Sequence, residues 1–184
     1  MMWPDWDQEL FFLIHQLEFP PLVESFFVYA RNKYIWIPLY IFWIVLLSIR
    51  KKSRIWIYLL GVVACVALSD GVSSRILKPT VERLRPCNAM EQVDERVICG
   101  SGYSFPSAHA TNHFAIAFLL ILYFWPLRPL YTGLLLGWAG VISFSQIFVG
   151  VHYPIDILTG ALLGSMIGYG IGRIVLLLDE KLSF

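Results

Sequence analysis

The chain has 184 residues, of which 58% are hydrophobic and 15% are charged, and its mean hydropathy is +0.66. A soluble domain of this length carries less apolar and more charged sequence, so the composition indicates an integral membrane protein. The net charge is only +1 and no basic run is interleaved with aromatic residues, which argues against nucleic acid as a partner.

Residues 1–33 are predicted to form an amphipathic segment that lies in the membrane interface. The segment is rich in aromatic residues, but acidic residues, His15 and the Pro20-Pro21 pair interrupt it. No window reaches the roughly 20 apolar residues that a spanning helix needs. A single kinked span is the alternative. We expect His15 near the lipid headgroups, and the acidic amino terminus is unlike the basic start of a signal peptide.

Residues 34–184 are predicted to form a single transmembrane bundle. The five apolar stretches are Tyr34–Ser48, Ile55–Lys78, a stretch from Ser107 or His109 to Trp125, Pro129–Val149, and Pro154–Leu178. Glycines recur along the last stretch, and small residues let membrane helices pack closely. The predicted fold class is therefore an all-α integral membrane protein, a bundle of about five transmembrane helices preceded by interfacial helices.

Basic residues predict the orientation of this bundle. Four of them lie between Arg50 and Arg54, which places that loop in the cytoplasm by the positive-inside rule, and Arg128 marks a second cytoplasmic turn. Counting spans then puts residues 78–109 and 146–156 together on the periplasmic or extracellular side. Basic residues are about as numerous there as inside, which weakens the rule but is expected if several of them bind an anion.

The stretch from Ser145 to Asp156 joins the fourth and fifth apolar stretches. Pro154 predicts a helix that begins at residue 153 or 154, because proline is accommodated in the first turn of a helix. His152 then lies at the amino-terminal end of this helix, which we call its mouth. The carboxylate of Asp156 can reach back and orient the imidazole. Alternatively, Asp156 only complements the helix dipole and His152 is an ordinary loop residue.

A second helix mouth is predicted at Ser107, which directly precedes the third apolar stretch. Serine is a good N-cap, so the free N–H groups of residues 107 to 109 would form an anion site. Lys78 and Arg85 precede this mouth in a long outer loop, and His109 lies within it. Two histidines, a carboxylate and two cations on one membrane side form a constellation that suits phosphoryl transfer.

These motifs resemble those of the type 2 phosphatidic acid phosphatase (PAP2) superfamily, which is shared with vanadium haloperoxidases. The family pattern is Lys, six residues, Arg-Pro; then Pro-Ser-Gly-His; then Ser-Arg, five residues, His, three residues, Asp. The chain has the first part in full from Lys78 to Pro86. It has Ala108 in place of the glycine in the second part and Gln146 in place of the arginine in the third.

The resemblance implies a role for each of these residues. His152 would attack phosphorus to form a phosphohistidine, Asp156 would fix its tautomer, and His109 would protonate the leaving oxygen. The residues that would bind the phosphate are Lys78, Arg85, Ser107, Ala108 and Gln146. We expect no metal and no cofactor, because the histidines lack the clustered Asp, Glu or Cys partners of a metal site.

The resulting hypothesis is a lipid phosphate phosphatase of the bacterial inner membrane with its active site on the periplasmic side. Polyprenyl pyrophosphate, lipid A phosphate, phosphatidylglycerol phosphate and phosphatidic acid all fit, and the sequence does not choose among them. Because Gln146 departs from the pattern, the alternative is a lipid-phosphate binding or translocating protein with weakened catalysis. The sequence makes no prediction of oligomeric state.

Three further expectations concern residues that the family pattern does not specify. His113 is expected to be a structural histidine on an intramembrane helix. Glu82 and Arg83 are expected on a solvated loop face. Cys87 and Cys99 bracket a polar outer loop, in a compartment where disulfides persist, and are expected to be bridged.

Overall fold

The structure is a computed structural model that describes residues 3–124 and 129–182. Every regular element in these residues is helical: α1 (Asp5–His15), α2 (Pro21–Ala30), α3 (Ile37–Lys51), α4 (Ile55–Asp70), α5 (Lys78–Val81), α6 (Pro86–Ala89), α7 (Ala108–Tyr123), α8 (Pro129–Phe148) and α9 (Pro154–Lys181). A 3₁₀ turn at Lys33–Trp36 leads into α3, and a π-helical turn at Gly71–Leu77 continues α4 into α5. The predicted all-α membrane fold is confirmed.

Five of these helices, α3, α4, α7, α8 and α9, correspond to the five predicted spans. Helices α8 and α9 and the stretch Lys33–Ala89 are long and apolar enough to cross a membrane. The backbone reverses within Lys33–Ala89 at Lys52, where φ is 40°, so α3 and α4 run in opposite directions. The predicted end of the third span at Trp125 and the turn at Arg128 lie outside the described residues.

The closest helix pair in the bundle is α7 and α9. A Cβ added to Gly164 or Gly168 would collide with the backbone of Thr111 or Ala115 on α7, so only glycine permits this approach. Gly170 differs, because open space surrounds it. Backbone-to-backbone packing of this kind is typical of small residues in membrane helices. The pairing brings the first turns of α7 and α9 to one end of the bundle, which we call the site end.

The opposite end of the bundle, which we call the far end, is closed by ion pairs. Asp179 near the end of α9 lies 3.3 Å from the Lys51 Nζ and 3.0 Å from an Arg54 guanidinium nitrogen. The Tyr58 hydroxyl also donates to the Asp179 carboxylate, at 2.5 Å. The carboxyl end of α9 is thereby fixed to the basic turn between α3 and α4.

The amino-terminal segment forms two short helices at the site end. Helices α1 and α2 have 11 and 10 residues, about 15 Å each, so neither is long enough to cross a bilayer alone. Helix α1 packs on α8 and α9, and α2 packs on α8. The assignment of residues 1–33 as a separate interfacial segment stays a prediction.

The expected headgroup position of His15 is wrong. Its ring is buried and stacks on Phe11. Its Nδ1 lies 2.9 Å from the Phe148 carbonyl, to which it donates, and its Nε2 accepts the N–H of Asp94 at 3.2 Å. Burial, followed by the charge of Arg96, lowers the pKa of His15. The histidine therefore links α1, the end of α8 and the loop before α7.

A disulfide joins Cys87 and Cys99, as predicted, and closes a loop over the site end. The Cys87 N–H donates to the Gly150 carbonyl at 3.1 Å, which fixes this loop to the turn between α8 and α9. Gly150 has φ +84°, and a Cβ there would lie 2.8 Å from Val93. Glycine is needed at this position for both reasons.

Candidate active site

His152 and Asp156 meet at the start of α9, as the position of Pro154 predicts. Tyr153 is the N-cap, and Asp156 in the first turn accepts its N–H at 2.9 Å through Oδ2. The same Oδ2 lies 3.4 Å from His152 Nδ1. Because Nδ1 faces a carboxylate, it carries the ring proton, and Nε2 keeps its lone pair.

The surroundings of His152 favour the neutral ring. Burial lowers the pKa of His152 to about 4, outweighing the hydrogen bond and charge of Asp156, which raise it. The charges of Lys78 and Arg85 lower it further. At neutral pH the imidazole is therefore uncharged, which is the form that can attack an electrophile.

Ser104 is a part of this site to which the sequence analysis assigned no role. Its hydroxyl donates to Asp156 Oδ2 and lies 3.3 Å from His152 Nδ1. Its backbone carbonyl accepts from the Lys78 ammonium at 3.1 Å. Only its position two residues before Pro106, next to a recognised motif, could have drawn attention to it.

Lys78 and Arg85 are held by backbone carbonyls. Lys78 Nζ donates to the Tyr103 and Ser104 carbonyls, and Arg85 donates to those of Gly102 (2.8 Å) and Val151 (3.4 Å). Within residues 3–124 and 129–182, neither side chain has a carboxylate within 4 Å. The carbonyls thus orient both cations but leave their charge unneutralised.

Ser107 is the N-cap of α7, as predicted, and its Oγ accepts the Ala110 N–H. The expectation that its own N–H is free is wrong, because this group donates to the Asp156 carbonyl at 3.0 Å. The bond links the mouths of α7 and α9. Among the described residues the N–H groups of Ala108 and His109 have no acceptor, so these two donors remain for an anion.

His109 lies in the first turn of α7, within electrostatic range of His152, Arg85 and Arg31. His113, one turn later, has both ring nitrogens satisfied: Nδ1 lies 2.8 Å from the His109 carbonyl and Nε2 3.3 Å from the Tyr40 hydroxyl. The structural role predicted for His113 is confirmed.

Arg31 is a cation within electrostatic range of Arg85 and His109, and the sequence analysis assigned it no role. It is the half-buried C-cap of α2, which packs on the end of α8 through Phe27 and Phe148. Burial lowers the pKa of its guanidinium, and the charge of Arg85 adds to this effect. In the described part of the chain, no hydrogen bond or ion pair joins the Arg31 side chain to another residue. No motif marks it in the sequence.

Gln146 lies at the end of α8 beside His152, as predicted. Its carbonyl accepts the N–H groups of Val151 and His152, at 3.1 and 3.2 Å. Its side chain is fully buried, and neither amide atom has a hydrogen-bond partner within the described structure. An amide buried without partners is costly, so it is poised to bind a group that enters the site.

The expectation for Arg83 is wrong, although Glu82 does lie on the exposed loop. Arg83 is only 6% exposed, and its guanidinium bridges two buried carboxylates. One nitrogen donates to Asp156 Oδ1 at 2.8 Å and the other to Asp7 Oδ2 at 2.5 Å. The sequence signal was weak, because Asp7 is 76 residues away in a segment without a motif.

We searched the described residues for clusters of three His, Cys, Asp or Glu side chains that could hold a metal ion, and found none. Apart from the Asp156 carboxylate at Nδ1, the polar groups around His152 are cations, hydroxyls and N–H donors, which suit an anion. That the reaction needs no metal stays a prediction.

Comparisons with known proteins agree with this geometry. The chain is 31% identical to the lipid A 4'-phosphatase of Bacteroides thetaiotaomicron over 81% of its own length and 68% of that protein. It is 26% identical to the lipid A 4'-phosphatase of Porphyromonas gingivalis, over 92% of the chain and 73% of that protein. The crystal structure of Aquifex aeolicus LpxE superposes with a TM-score of 0.67 at 28% identity, covering 92% of this chain and 93% of that one. The PAP2 superfamily profile matches residues 54–178, a range that contains all three motifs, and the chain therefore belongs to the PAP2 superfamily.

Proposed function

We propose that this membrane protein is a phosphatase that hydrolyses a phosphate monoester of lipid A through a phosphohistidine intermediate. The reaction takes place at the periplasmic face of the bacterial inner membrane. The observation that carries the proposal is the environment of His152. Its Nδ1 faces Asp156, and among the described residues its Nε2 has no hydrogen-bond partner and no carboxylate lies within 4 Å of the neighbouring cations Lys78 and Arg85. This combination suits attack on a bound phosphate.

In the first step, His152 Nε2 attacks phosphorus, a P–N bond forms, and the P–O bond to the lipid breaks. Asp156 stabilises the positive charge that develops on the ring. His109, which a bound phosphate dianion favours in its protonated form, gives its proton to the leaving lipid oxygen. In the second step, His109 takes a proton from water, the water oxygen forms a P–O bond, and the P–N bond breaks, which releases inorganic phosphate and returns the electron pair to His152 Nε2.

Lys78, Arg85 and the N–H groups of Ala108 and His109 bind the non-bridging oxygens in this mechanism. Gln146 contributes a neutral amide where the family pattern has an arginine, and its unpartnered buried side chain supports this role. Arg31 supplies the positive charge that glutamine lacks. Arginine suits this task because its guanidinium is permanently charged and planar.

The substrate and the membrane side rest on separate arguments. Two of the most similar relatives are named as lipid A 4'-phosphatases, which favours a phosphate on a lipid A sugar over the other lipids. The site end is opposite the basic turn at Lys51 and Arg54, so the positive-inside rule supports a periplasmic site.

The first test is phosphate release by the purified protein in detergent. The panel comprises lipid A, undecaprenyl pyrophosphate, phosphatidylglycerol phosphate and phosphatidic acid, each with and without EDTA. We expect the highest kcat/KM with lipid A and no loss with EDTA. Preference for another lipid would overturn the assignment of lipid A as the substrate. Binding of all four lipids without phosphate release would favour the alternative, a lipid-phosphate binding or translocating protein.

The second test is capture of the intermediate. Rapid quenching with radiolabelled lipid phosphate should trap a label on the protein that is acid-labile and base-stable. His152→Ala should abolish both the label and the turnover, while thermal unfolding shows that the variant is folded. A label that persists in His152→Ala would remove this residue as the nucleophile.

A further inference from the structure

Helix α1 lies outside the matched family region, yet its Asp7 is linked through Arg83 to the carboxylate of Asp156. We propose that Asp7 and Arg83 are positioning residues for catalysis, which fix Asp156 in place and keep its negative charge available to His152. The proposal rests on the function proposed above. It concerns the residues behind the His152–Asp156 pair, which do not touch the phosphate.

The geometry of this chain of charges is continuous. Asp156 uses its two oxygens separately: Oδ2 faces His152, and Oδ1 accepts from Arg83 at 2.8 Å. Arg83 donates its other terminal nitrogen to Asp7 Oδ2. Asp7 Oδ1 then accepts the N–H of Ile155 in the first turn of α9, at 2.8 Å. Asp156 is thus held from its own helix and through Arg83 from α1.

Aromatic rings fix the plane of the Arg83 guanidinium. Trp3 lies on it with its ring centroid at 3.9 Å, and Tyr153 lies at 3.7 Å. Both rings stabilise the cation and exclude water from the two ion pairs. A guanidinium with a fixed plane and two fixed carboxylates cannot turn toward a phosphate, so Arg83 acts on Asp156 and not on the substrate.

The summed charge of Asp7, Arg83 and Asp156 explains why Asp7 is needed to keep the negative charge of Asp156 available to His152. Arg83 alone would neutralise Asp156, and the carboxylate would then give little support to a positive charge on His152. The buried carboxylate of Asp7 offsets Arg83, so Asp7, Arg83 and Asp156 together carry a charge of −1. Burial makes this offset effective, because all three side chains are almost inaccessible to solvent.

Other charged and polar groups also act on Asp156. His152 and Ser104 contact its Oδ2, and the charges of Lys78 and Arg85 act on it from a greater distance. None of these groups changes in the variants proposed below. Differences between the variants therefore report on Asp7 and Arg83.

If their role were only structural, Asp7 and Arg83 would do no more than hold α1 against α9. In that case Asp7→Asn and Arg83→Gln would both lower the thermal stability and leave the shape of the pH–rate profile unchanged. The positioning role predicts instead that the two variants shift the acid limb of the profile, the part where the rate falls at low pH, in opposite directions. This contrast distinguishes the two roles.

The experiment measures kcat and KM for phosphate release from lipid A between pH 4 and pH 9 in the full-length protein. Arg83→Gln leaves two buried carboxylates without their shared cation, and their repulsion favours proton uptake. We expect the acid limb to move to higher pH, by about one unit or more. Asp7→Asn leaves the Arg83 charge unbalanced, so the acid limb should move to lower pH and kcat should fall about tenfold with little change in KM.

Two further variants keep the test decisive if a single substitution prevents folding. Arg83→Lys retains the charge and should keep the acid limb close to that of the wild type. The double variant Asp7→Asn/Arg83→Gln removes one charge of each sign, and its limb should lie between those of the single variants. Asp5→Asn, an exposed carboxylate on the same helix, is the matched control and should behave as wild type.

The results separate this inference from the proposed function. The inference alone is overturned if the wild-type protein releases phosphate in a His152-dependent way and the acid limb of the pH–rate profile is unshifted in both single variants. Limbs that move in the same direction also overturn it. A wild-type protein that releases phosphate from no lipid overturns the proposed function and this inference with it.

Discussion

The two ends of the bundle contain similar residue types but satisfy them differently. At the far end, Lys51 and Arg54 both pair with Asp179, and Tyr58 completes the cluster. At the site end, Lys78 and Arg85 bind carbonyls, and no carboxylate in the described residues lies within 4 Å of them. A cation that is neutralised by a carboxylate stabilises the packing, whereas one that is oriented by carbonyls stays available for an anion.

Arg83 refines this comparison, because it lies at the site end but is paired as at the far end. Before its environment is known, it is a plausible substitute for the arginine missing at position 146. Its two carboxylate partners remove it from that role, and Arg75 is exposed and forms no ion pair among the described residues. We therefore propose Arg31, beside Lys78 and Arg85, as the cation that compensates for Gln146.

The largest effect is expected from neutralising the carbonyl-bound cations. Lys78→Met or Arg85→Leu should lower kcat/KM by about 10- to 150-fold each, because charge-assisted hydrogen bonds contribute about 1.5–3 kcal/mol. The measurement is steady-state phosphate release from lipid A. Lys51→Met at the far end is the matched control and should keep wild-type kinetics. Equal losses at both ends would contradict the proposed difference between them.

A smaller effect is expected from exchanging Arg31 and Gln146. Arg31→Gln should lower kcat/KM about tenfold, because a neutral hydrogen bond contributes about 1 kcal/mol and a charged one more. Gln146→Arg should restore most of this loss in the Arg31→Gln background. Gln146→Ala, measured in the wild-type background, reports whether the amide contacts phosphate. If Arg31→Gln matches the wild type, Arg31 does not bind the phosphate.

The pH dependence of stability tests the buried His15. Its pKa is lowered in the folded protein from 6.5, so the unfolded chain takes up a proton first as the pH falls. Its contribution to stability is therefore full above about pH 6.5 and decreases as the pH falls below that value. Tm in detergent should decrease from pH 7 to pH 5, and less steeply in His15→Gln. Parallel curves for the two proteins would show that His15 does not cause the dependence.

The smallest effect on activity is expected at the far end. Asp179→Asn removes the carboxylate that neutralises Lys51 and Arg54 and accepts from Tyr58. The free energy of unfolding should fall by about 1–2 kcal/mol, which lowers Tm by about 2–8 °C for a chain of this size. Phosphate release should be unchanged. A loss of activity without a change in Tm would mean that this cluster acts on the site.

The sequence predicts the helices and the positions of His109 and His152 because both depend on local patterns. Apolar length defines the five spans, and Pro154 and Ser107 define the two helix mouths that hold His152 and His109. What it could not predict depends on contacts between distant segments. Asp7 contacts Arg83 because α1 packs on α9, and Arg31 comes within electrostatic range of Arg85 and His109 because α2 packs on α8. An acidic residue in an aromatic-rich segment is typical of the membrane interface. Its burial in an ion pair cannot be recognised until the partner residue is known.

The glycine contacts between α7 and α9 bear on how this enzyme family can diverge. His109 and His152 lie at the starts of two helices whose separation is fixed by backbone contacts at Gly164 and Gly168. The loop between Cys87 and Cys99 lies apart from these glycine contacts, and the disulfide joins its two ends. The buried Val93 and the bond from Arg96 to the Phe148 carbonyl fix part of this loop near the turn that precedes His152. Insertions at the exposed Glu91 and Gln92 are therefore expected to leave the spacing of the two histidines intact. The exposed part of the loop can vary, by natural variation or by design, while the helix pair that holds both histidines stays the same.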